Sequence, residues 1–428
     1  PRREVPDPVA DPTTARVRIA YFTGEYPRAT DTWIQREITA LRTQGVDVEG
    51  FAVRQPGSEH LVGPEQVAET ARTTYLLPQV RSLRLPLAHL GLALRSPGRY
   101  LRTLRLAWDT RRPGVHGTAY QLAYFLEAGL LATAVRRRRI RHLHNHFGDS
   151  SCSVAMLAAE LGGFTFSFTL HGPGIFFEAH TWRLDEKSRR AAFVACISWF
   201  CRSQATIFAD PADVARLHIV HCGIDPEALA RRTHHPGGAE LLFVGRLAEV
   251  KGVAVLLEAL VEVAKVHPDV HLTLVGDGPE RQRFERLAAD TGVEALATFA
   301  GYRSQAEVAA FLADTDVFVL PSFAEGGPVT LMEALGAAVP VVATQVGGVS
   351  ELVDHGVNGY VVRPGDPEPL ARALIELLDD PEQRQRLGDA GRAMVAAEFA
   401  NATEAARLRT LFANTLAGLP TAIRPELA

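Results

Sequence analysis

The chain has 428 residues, 47% hydrophobic and 22% charged, with a formal net charge of −4 and a mean hydropathy of +0.01. That is length for about two or three soluble domains, and it excludes a small cross-linked scaffold. Cys152, Cys196, Cys201 and Cys222 make no CxxC pair and follow no regular spacing, which argues against a disulfide or zinc framework and fits a reducing cytosol. No apolar run reaches the ~18 residues of a membrane span, and the opening PRREVPDPVADPTTAR lacks a signal-peptide core, so a chain neither secreted nor integral to a membrane is expected. The first residue is not Met, which leaves the true N-terminus open.

In chain order, residues 17–22 read as a strand, 33–44 as a helix and 48–53 as a strand, one βαβ unit. A Pro- and Gly-punctuated stretch leads into a basic helical region: from Arg81 to Arg141 there are thirteen Arg and only two acids, Asp109 and Glu127. Within it Arg99, Arg102 and Arg105 recur at helical spacing beside Leu101, Leu104 and Trp108. Such a helix reads either as a solvated basic face or as a face for anionic lipid or an acidic acceptor. Nucleic acid is disfavoured, because no recognisable module accompanies the arginines. A strand at 140–146, a helix at 150–161 and a strand at 164–170 follow.

HPGG at 235–238 reads as a linker. Beyond it, strands at 240–244, 270–275, 297–300, 317–320 and 339–343 alternate with helices at 253–266, 279–290, 304–313 and from about 328 to 336. Helical patterns at 381–398 and 402–417 precede a Pro-containing tail. Repeated βα units of this kind imply an α/β chain with parallel sheets covered on both faces, whose ligands sit beyond the carboxyl ends of the strands.

The strongest chemical signal is PSFAEGGPVTLMEALGAAVPVVAT at 321–344. A strand ends at Pro321, Glu325, Gly326 and Gly327 form a loop, and Pro328 suits a first helical turn because its missing N–H would have no partner there. The remaining free N–H groups and the positive dipole end favour an anion, with Glu325 and Glu333 bracketing it as acceptors for hydroxyls. The second signal is FVGRLAEVKG at 243–252, where Arg246 and Lys251 can converge on one diphosphate. Of 45 Lys plus Arg only Lys187, Lys251 and Lys265 are Lys, so a lysine kept in so Arg-rich a chain stands out.

Taken together, these segments resemble the retaining GT-B glycosyltransferases of family 4, the glycosyl transferases group 1, of the bacterial polysaccharide and natural-product type. The likeness rests on Gly245-Arg246, Lys251-Gly252, the Glu325 and Glu333 pair and the following PVVATQVGGVSELVDHGVNGYVV. GEYPRATDTWIQREITAL at 24–41, HLHNHFGDSS and FSFTLHGPGIF resemble the family's first half, although Gly24-Glu25 stands where a Gly-Gly pair is common. The resemblance implies two Rossmann-like doubly wound domains facing across a cleft. Residues 1–222 would bind the acceptor and 223–401 the donor, with a helix at about 402–420 packing back on the first.

The family's roles, carried over, make Arg246 and Lys251 bind the donor diphosphate, Glu325 the sugar hydroxyls, and Gly326, Gly327, Pro328 and Val329 the sugar and phosphate through their backbone. Glu333 would accept from the ribose diol. His171, by its imidazole or a nearby carbonyl, would steady positive charge at the anomeric carbon. Gly24 and Gly245 would border the donor, and Gly276 and Tyr302 the base. The implied reaction moves a sugar with retention from a UDP- or GDP-type nucleotide sugar, as co-substrate, to a small-molecule, glycan or lipid-linked acceptor. No metal or other cofactor is obligatory, and the implied place is the cytoplasm or the inner membrane face.

Competing readings are a sugar phosphorylase or nucleotide-sugar epimerase on the same scaffold, or a non-catalytic nucleotide-sugar binding protein. A glycoside hydrolase would explain the two glutamates but not the cations. Asp314-Thr315-Asp316 resembles an Mn²⁺ motif yet precedes an apolar strand, and His142, His144 and His146 share one strand face and read as core or cleft residues before zinc ligands.

Overall fold

A computed structural model describes residues 17–233 and 237–421, so part of the 235–238 linker and the chain beyond 421 lie outside the described residues. Two all-parallel sheets dominate it. The first orders β3 (Thr73–Tyr75), β2 (Asp47–Arg54), β1 (Arg18–Glu25), β4 (His142–His146), β5 (Thr165–Leu170), β6 (Val194–Cys196) and β7 (Leu217–Ile219). The second orders β10 (Ala297–Gly301), β9 (His271–Val275), β8 (Glu240–Val244), β11 (Val317–Leu320), β12 (Val341–Thr344) and β13 (Gly359–Val362).

Strand periodicity explains how the first sheet is covered twice. Ile19 and Tyr21 pack on one side with Ile34 and Ile38, while Ala20 and Phe22 pack on the other with Leu143, Leu157 and Phe168. The helix Asn401–Ala417 joins the first of these cores through Leu408, Leu411 and Phe412. The chain therefore crosses between the sheets twice. The two crossings are tied together by Ile224 N–H to the Phe399 carbonyl at 3.0 Å and Asn401 N–H to the Ile224 carbonyl at 2.8 Å.

Several elements escaped the sequence pattern. β3, β6 and β7 have three residues each, too few for a period, and exist because their neighbours pair with them. The last predicted strand begins at Val341 rather than at 339, because Ala338 takes a positive φ of 60° before Pro340. Pro328 is not in the first helical turn. Its ψ of 108° is extended, which makes it the N-cap of helix Val329–Gly336.

The histidine strand is a packing device. His142 bonds the hydroxyls of Thr165 and Ser167, both at 2.8 Å, and His144 those of Ser167 at 2.8 Å and Thr169 at 2.9 Å. Glu37, His144 and His146 bring ligand atoms within 4.8 Å of one another, but both nitrogens of His144 are already engaged. Asp314-Thr315-Asp316 is likewise structural. Buried Asp316 pairs with Arg232 at 2.9 Å and accepts from the Glu240 N–H at 3.0 Å, while Asp314 ends a helix.

Burial lowers the His142 imidazole from 6.5 to about 3 and holds His144 well below its ordinary value. The folded state thus stays neutral where the unfolded chain takes up a proton, so this stability is present above about pH 6.5 and lost as pH falls toward 3. Burial raises Glu127 and Glu404 to about 7, and their contribution, present below 4.5 and lost as pH rises through 7, runs the opposite way. A His142→Gln variant isolates the first effect. Its stability deficit against wild type, measured by urea unfolding, is expected to shrink by about 2 kcal/mol between pH 7 and pH 5. A pH-independent deficit would reject the buried neutral imidazole.

Candidate active site

The carboxyl ends of the second sheet meet the first sheet across a cleft of about 690 Å³. β8 runs into Gly245 and Arg246, β9 into Gly276, and β10 into Tyr302, all of which line it. Gly276 has a φ of 130°, and a Cβ there would stand 2.0 Å from the Gly245 carbonyl. Only glycine lets these two strand ends close so tightly. Arg246 is exposed in the cleft wall.

β11 delivers the acidic loop. Lys251 Nζ donates to Glu325 Oε1 at 2.6 Å, and Ser322 Oγ donates to the same oxygen at 2.6 Å. Phe323 N–H bonds the Val250 carbonyl at 2.8 Å, holding the two loops in register. Gly326, Gly327, Pro328, Val329 and Thr330 line the cleft, so the start of an eight-residue helix, whose first N–H groups have no partners within it, opens onto the site. A Cβ on Gly326 would lie 2.6 Å from the His171 carbonyl oxygen. Glu333, buried on the same helix, pairs with Arg36 of helix Thr32–Thr43 at 2.6 Å, across 297 residues of chain.

His171 faces this loop from the end of β5. Its Nε2 lies 2.8 Å from His146 Nδ1, and its Nδ1 lies 3.7 Å from Cys222 Sγ. Behind His146, Nε2 stands 3.3 Å from Glu37, which accepts from the Tyr21 hydroxyl at 2.6 Å. The two ring nitrogens of His171 therefore each meet a buried partner, His146 on one side and Cys222 on the other. Burial and the neighbouring His146 hold His171 well below its ordinary value, and burial keeps Cys222 a thiol. Both imidazole nitrogens are thus engaged within the protein. The polar atom of His171 that abuts Gly326 is its carbonyl oxygen.

The cleft therefore gathers His171, Gly245, Arg246, Lys251, Gly276 and Tyr302 together with Glu325, Gly326, Gly327, Pro328, Val329 and Glu333. Gly24 is not among the lining residues. It lies inside β1, where a Cβ would stand 4.0 Å from Ser151, and the first-half loop reaches the cleft instead through residues 28–33. Arg36, Trp33 and Glu37 were not singled out from sequence, and His146 and Cys222 were read only as a strand histidine and as one of four scattered cysteines. One signal was present: Trp33, Arg36 and Glu37 are three and four apart, so a polar pair shares a helix face with a tryptophan. Nothing in the sequence marks Ser322.

Residues 226–394 match the family model described as Glycosyl transferases group 1. These residues form a glycosyl transferases group 1 domain. The group 1 domain holds all six strands of the second sheet and every cleft residue from Gly245 to Glu333.

Over 403 residues the chain is 26% identical to the amylovoran biosynthesis glycosyltransferase AmsK of Erwinia amylovora, covering 90% of this chain and 96% of that protein. Among solved structures it is similar to sucrose-phosphate synthase (tll1590) from Thermosynechococcus elongatus, with a TM-score of 0.74 at 19% identity over 94% of this chain and 100% of that one. It is also similar to Anabaena Alr3699/HepE in complex with UDP-glucose, with a TM-score of 0.70 at 17% identity and the same coverage. At such identities the likeness is one of fold. The group 1 domain and the N-terminal half together make the GT-B arrangement of two Rossmann-like domains expected from the sequence.

Proposed function

We propose that this protein is a retaining glycosyltransferase that moves a sugar from a UDP- or GDP-type nucleotide sugar to an acceptor hydroxyl in glycan, glycolipid or natural-product biosynthesis. The observation that carries this reading is the Lys251–Glu325 pair at the mouth of a helix N-terminus, with Arg246 beside it and the His171 carbonyl opposite. Residues 1–222 take the acceptor and 223–401 the donor. The names of two relatives are consistent with the donor and product classes: AmsK belongs to amylovoran biosynthesis, and HepE was solved with UDP-glucose.

Breaking the anomeric bond builds negative charge on the departing diphosphate. Arg246, Lys251 and the first N–H groups of helix Val329–Gly336 stabilise that charge from fixed positions, so this reading requires no divalent metal. Glu325, oriented by Ser322, accepts from sugar hydroxyls, and Glu333 accepts from the ribose diol. Gly276 and Tyr302 border the base. The His171 carbonyl, its ring locked by His146 and Cys222, lies where positive character develops at the anomeric carbon. With no covalent nucleophile assigned, the acceptor oxygen bonds the anomeric carbon on the face the diphosphate leaves, and its proton passes to the departing phosphate oxygen. A cytoplasmic protein meeting a lipid-linked or soluble acceptor fits this chemistry.

Two measurements test the reading. A panel of UDP-, GDP-, ADP- and dTDP-sugars screened by thermal unfolding is expected to yield one stabilising base, worth about 2.7 kcal/mol at a hundred times Kd. The glycoside formed from it is expected to keep the donor's anomeric configuration by NMR. Inversion would reject the same-face mechanism, and phosphate-dependent reversal or isomerisation without acceptor would replace the transferase with a phosphorylase or an epimerase.

A further inference from the structure

The basic region resolves into helices Arg84–Arg95, Pro97–Asp109 and Gly114–Arg137, which pack on one another. The first buries Ala88, His89 and Leu92. Yet Leu83, Leu87, Leu90 and Leu94 are 78%, 64%, 55% and 76% exposed. Their spacing of four, three and four residues makes one continuous stripe. The second helix repeats the arrangement, burying Thr103, Leu106 and Ala107 while leaving Leu101, Leu104 and Trp108 exposed. A single exposed leucine is ordinary, but a periodic apolar stripe on each of two adjoining helices marks an interaction face.

The surrounding charge says what covers it. Arg84, Arg95, Arg102 and Arg105 are exposed, and the Arg111 guanidinium lies 3.7 Å over the Trp108 ring, a pairing that suits a boundary between apolar and polar media. These exposed arginines outnumber the carboxylates beside them, Glu160 at 3.7 Å from Arg102 and Asp109 at 3.5 Å from Arg105, so a second copy docked face to face would set like charge against like. Among the described residues no helix is long and apolar enough to cross a membrane. We infer that this face seats the protein on an anionic phospholipid bilayer, leucines and Trp108 at the acyl boundary and arginines on headgroup phosphates. The inference stands on this surface alone and not on the transferase reading, so either can fail without the other.

Flotation with vesicles of phosphatidylcholine, with or without an equal part of phosphatidylglycerol, tests it at about 0.1 M salt. The protein is expected to float with the anionic vesicles and not with the neutral ones. Leu87→Glu/Leu90→Glu/Leu94→Glu should lower binding about tenfold or more with an unchanged circular dichroism spectrum. Arg102→Gln/Arg105→Gln should weaken binding and flatten its salt dependence. As a readout independent of those variants, vesicles should shift tryptophan emission to the blue in wild type and not in Trp108→Phe. Absence of flotation would overturn the inference, as would a triple-leucine variant that binds like wild type. So would a wild-type dimer in sedimentation velocity that the leucine variant converts to monomer, since a second copy would then be the occupant.

Discussion

Lys251→Ala is expected to lower kcat/KM by about 10²–10³-fold with the fold retained. The lysine contacts Glu325 from a short 3-10 turn, Glu249–Lys251, that ends at Gly252. Its removal leaves Glu325 with the Ser322 hydroxyl, so the loop keeps an anchor, while on the proposed reading the donor diphosphate would lose a preorganised cation. The loss should fall on turnover more than on substrate binding, because charge on the leaving group grows toward the transition state. Lys251→Arg should recover only part of it, a planar fork being a poor substitute for a compact ammonium. Steady-state kinetics beside a thermal melt decide the matter, and an unchanged kcat/KM would remove Lys251 from the mechanism.

Glu333→Ala is expected to weaken donor binding about 10- to 100-fold in calorimetry, the effect of losing one or two charge-assisted hydrogen bonds to a ribose diol. The control is Arg36→Met, because in the structure the same carboxylate pairs with Arg36 across the two halves. If Glu333 reads the ribose, Arg36→Met should cost only a few-fold. Equal losses in both variants would make the carboxylate a tether for helix Thr32–Thr43 and end its assignment to the ribose.

How much was legible beforehand depended on chain distance. Strands such as Glu240–Val244 and Val317–Leu320 and the helix Val253–Val266 fall where the pattern puts them, because a buried parallel strand and a helix with one apolar face each write a local period. The loops carrying Arg246, Lys251 and Glu325 were readable for the same reason: each directly follows such a strand. The histidines read from sequence as core or cleft residues, but which of them is which was not decidable locally. His142 and His144 became core only because β5 sets Thr165, Ser167 and Thr169 opposite them, while His146 at the end of the same strand meets His171. The exposed leucine stripe of helix Arg84–Arg95 was equally hidden, since exposure is a property of what packs and not of what is written.

Lysine scarcity shows the division most plainly. Sequence alone singled out Lys187, Lys251 and Lys265, and the structure gave each a different meaning. Lys265 is an exposed partner of Glu262. Lys187 is fully buried, its ammonium held by the Gly148 and Asp149 carbonyls at 2.7 and 2.8 Å and lowered by burial to about 8. Lys251 alone reaches the cleft. By itself the sequence determined the α/β architecture, the two halves and the residue types at the strand ends, because these rest on periods and spacings of a few residues. Only the tertiary structure decided which cation faces which carboxylate, that Arg36 reaches Glu333, and that the His171 carbonyl abuts Gly326 while its ring nitrogens meet His146 and Cys222. Those contacts join residues tens to hundreds apart in the chain, and their geometry is set by how the two sheets and the helices between them pack.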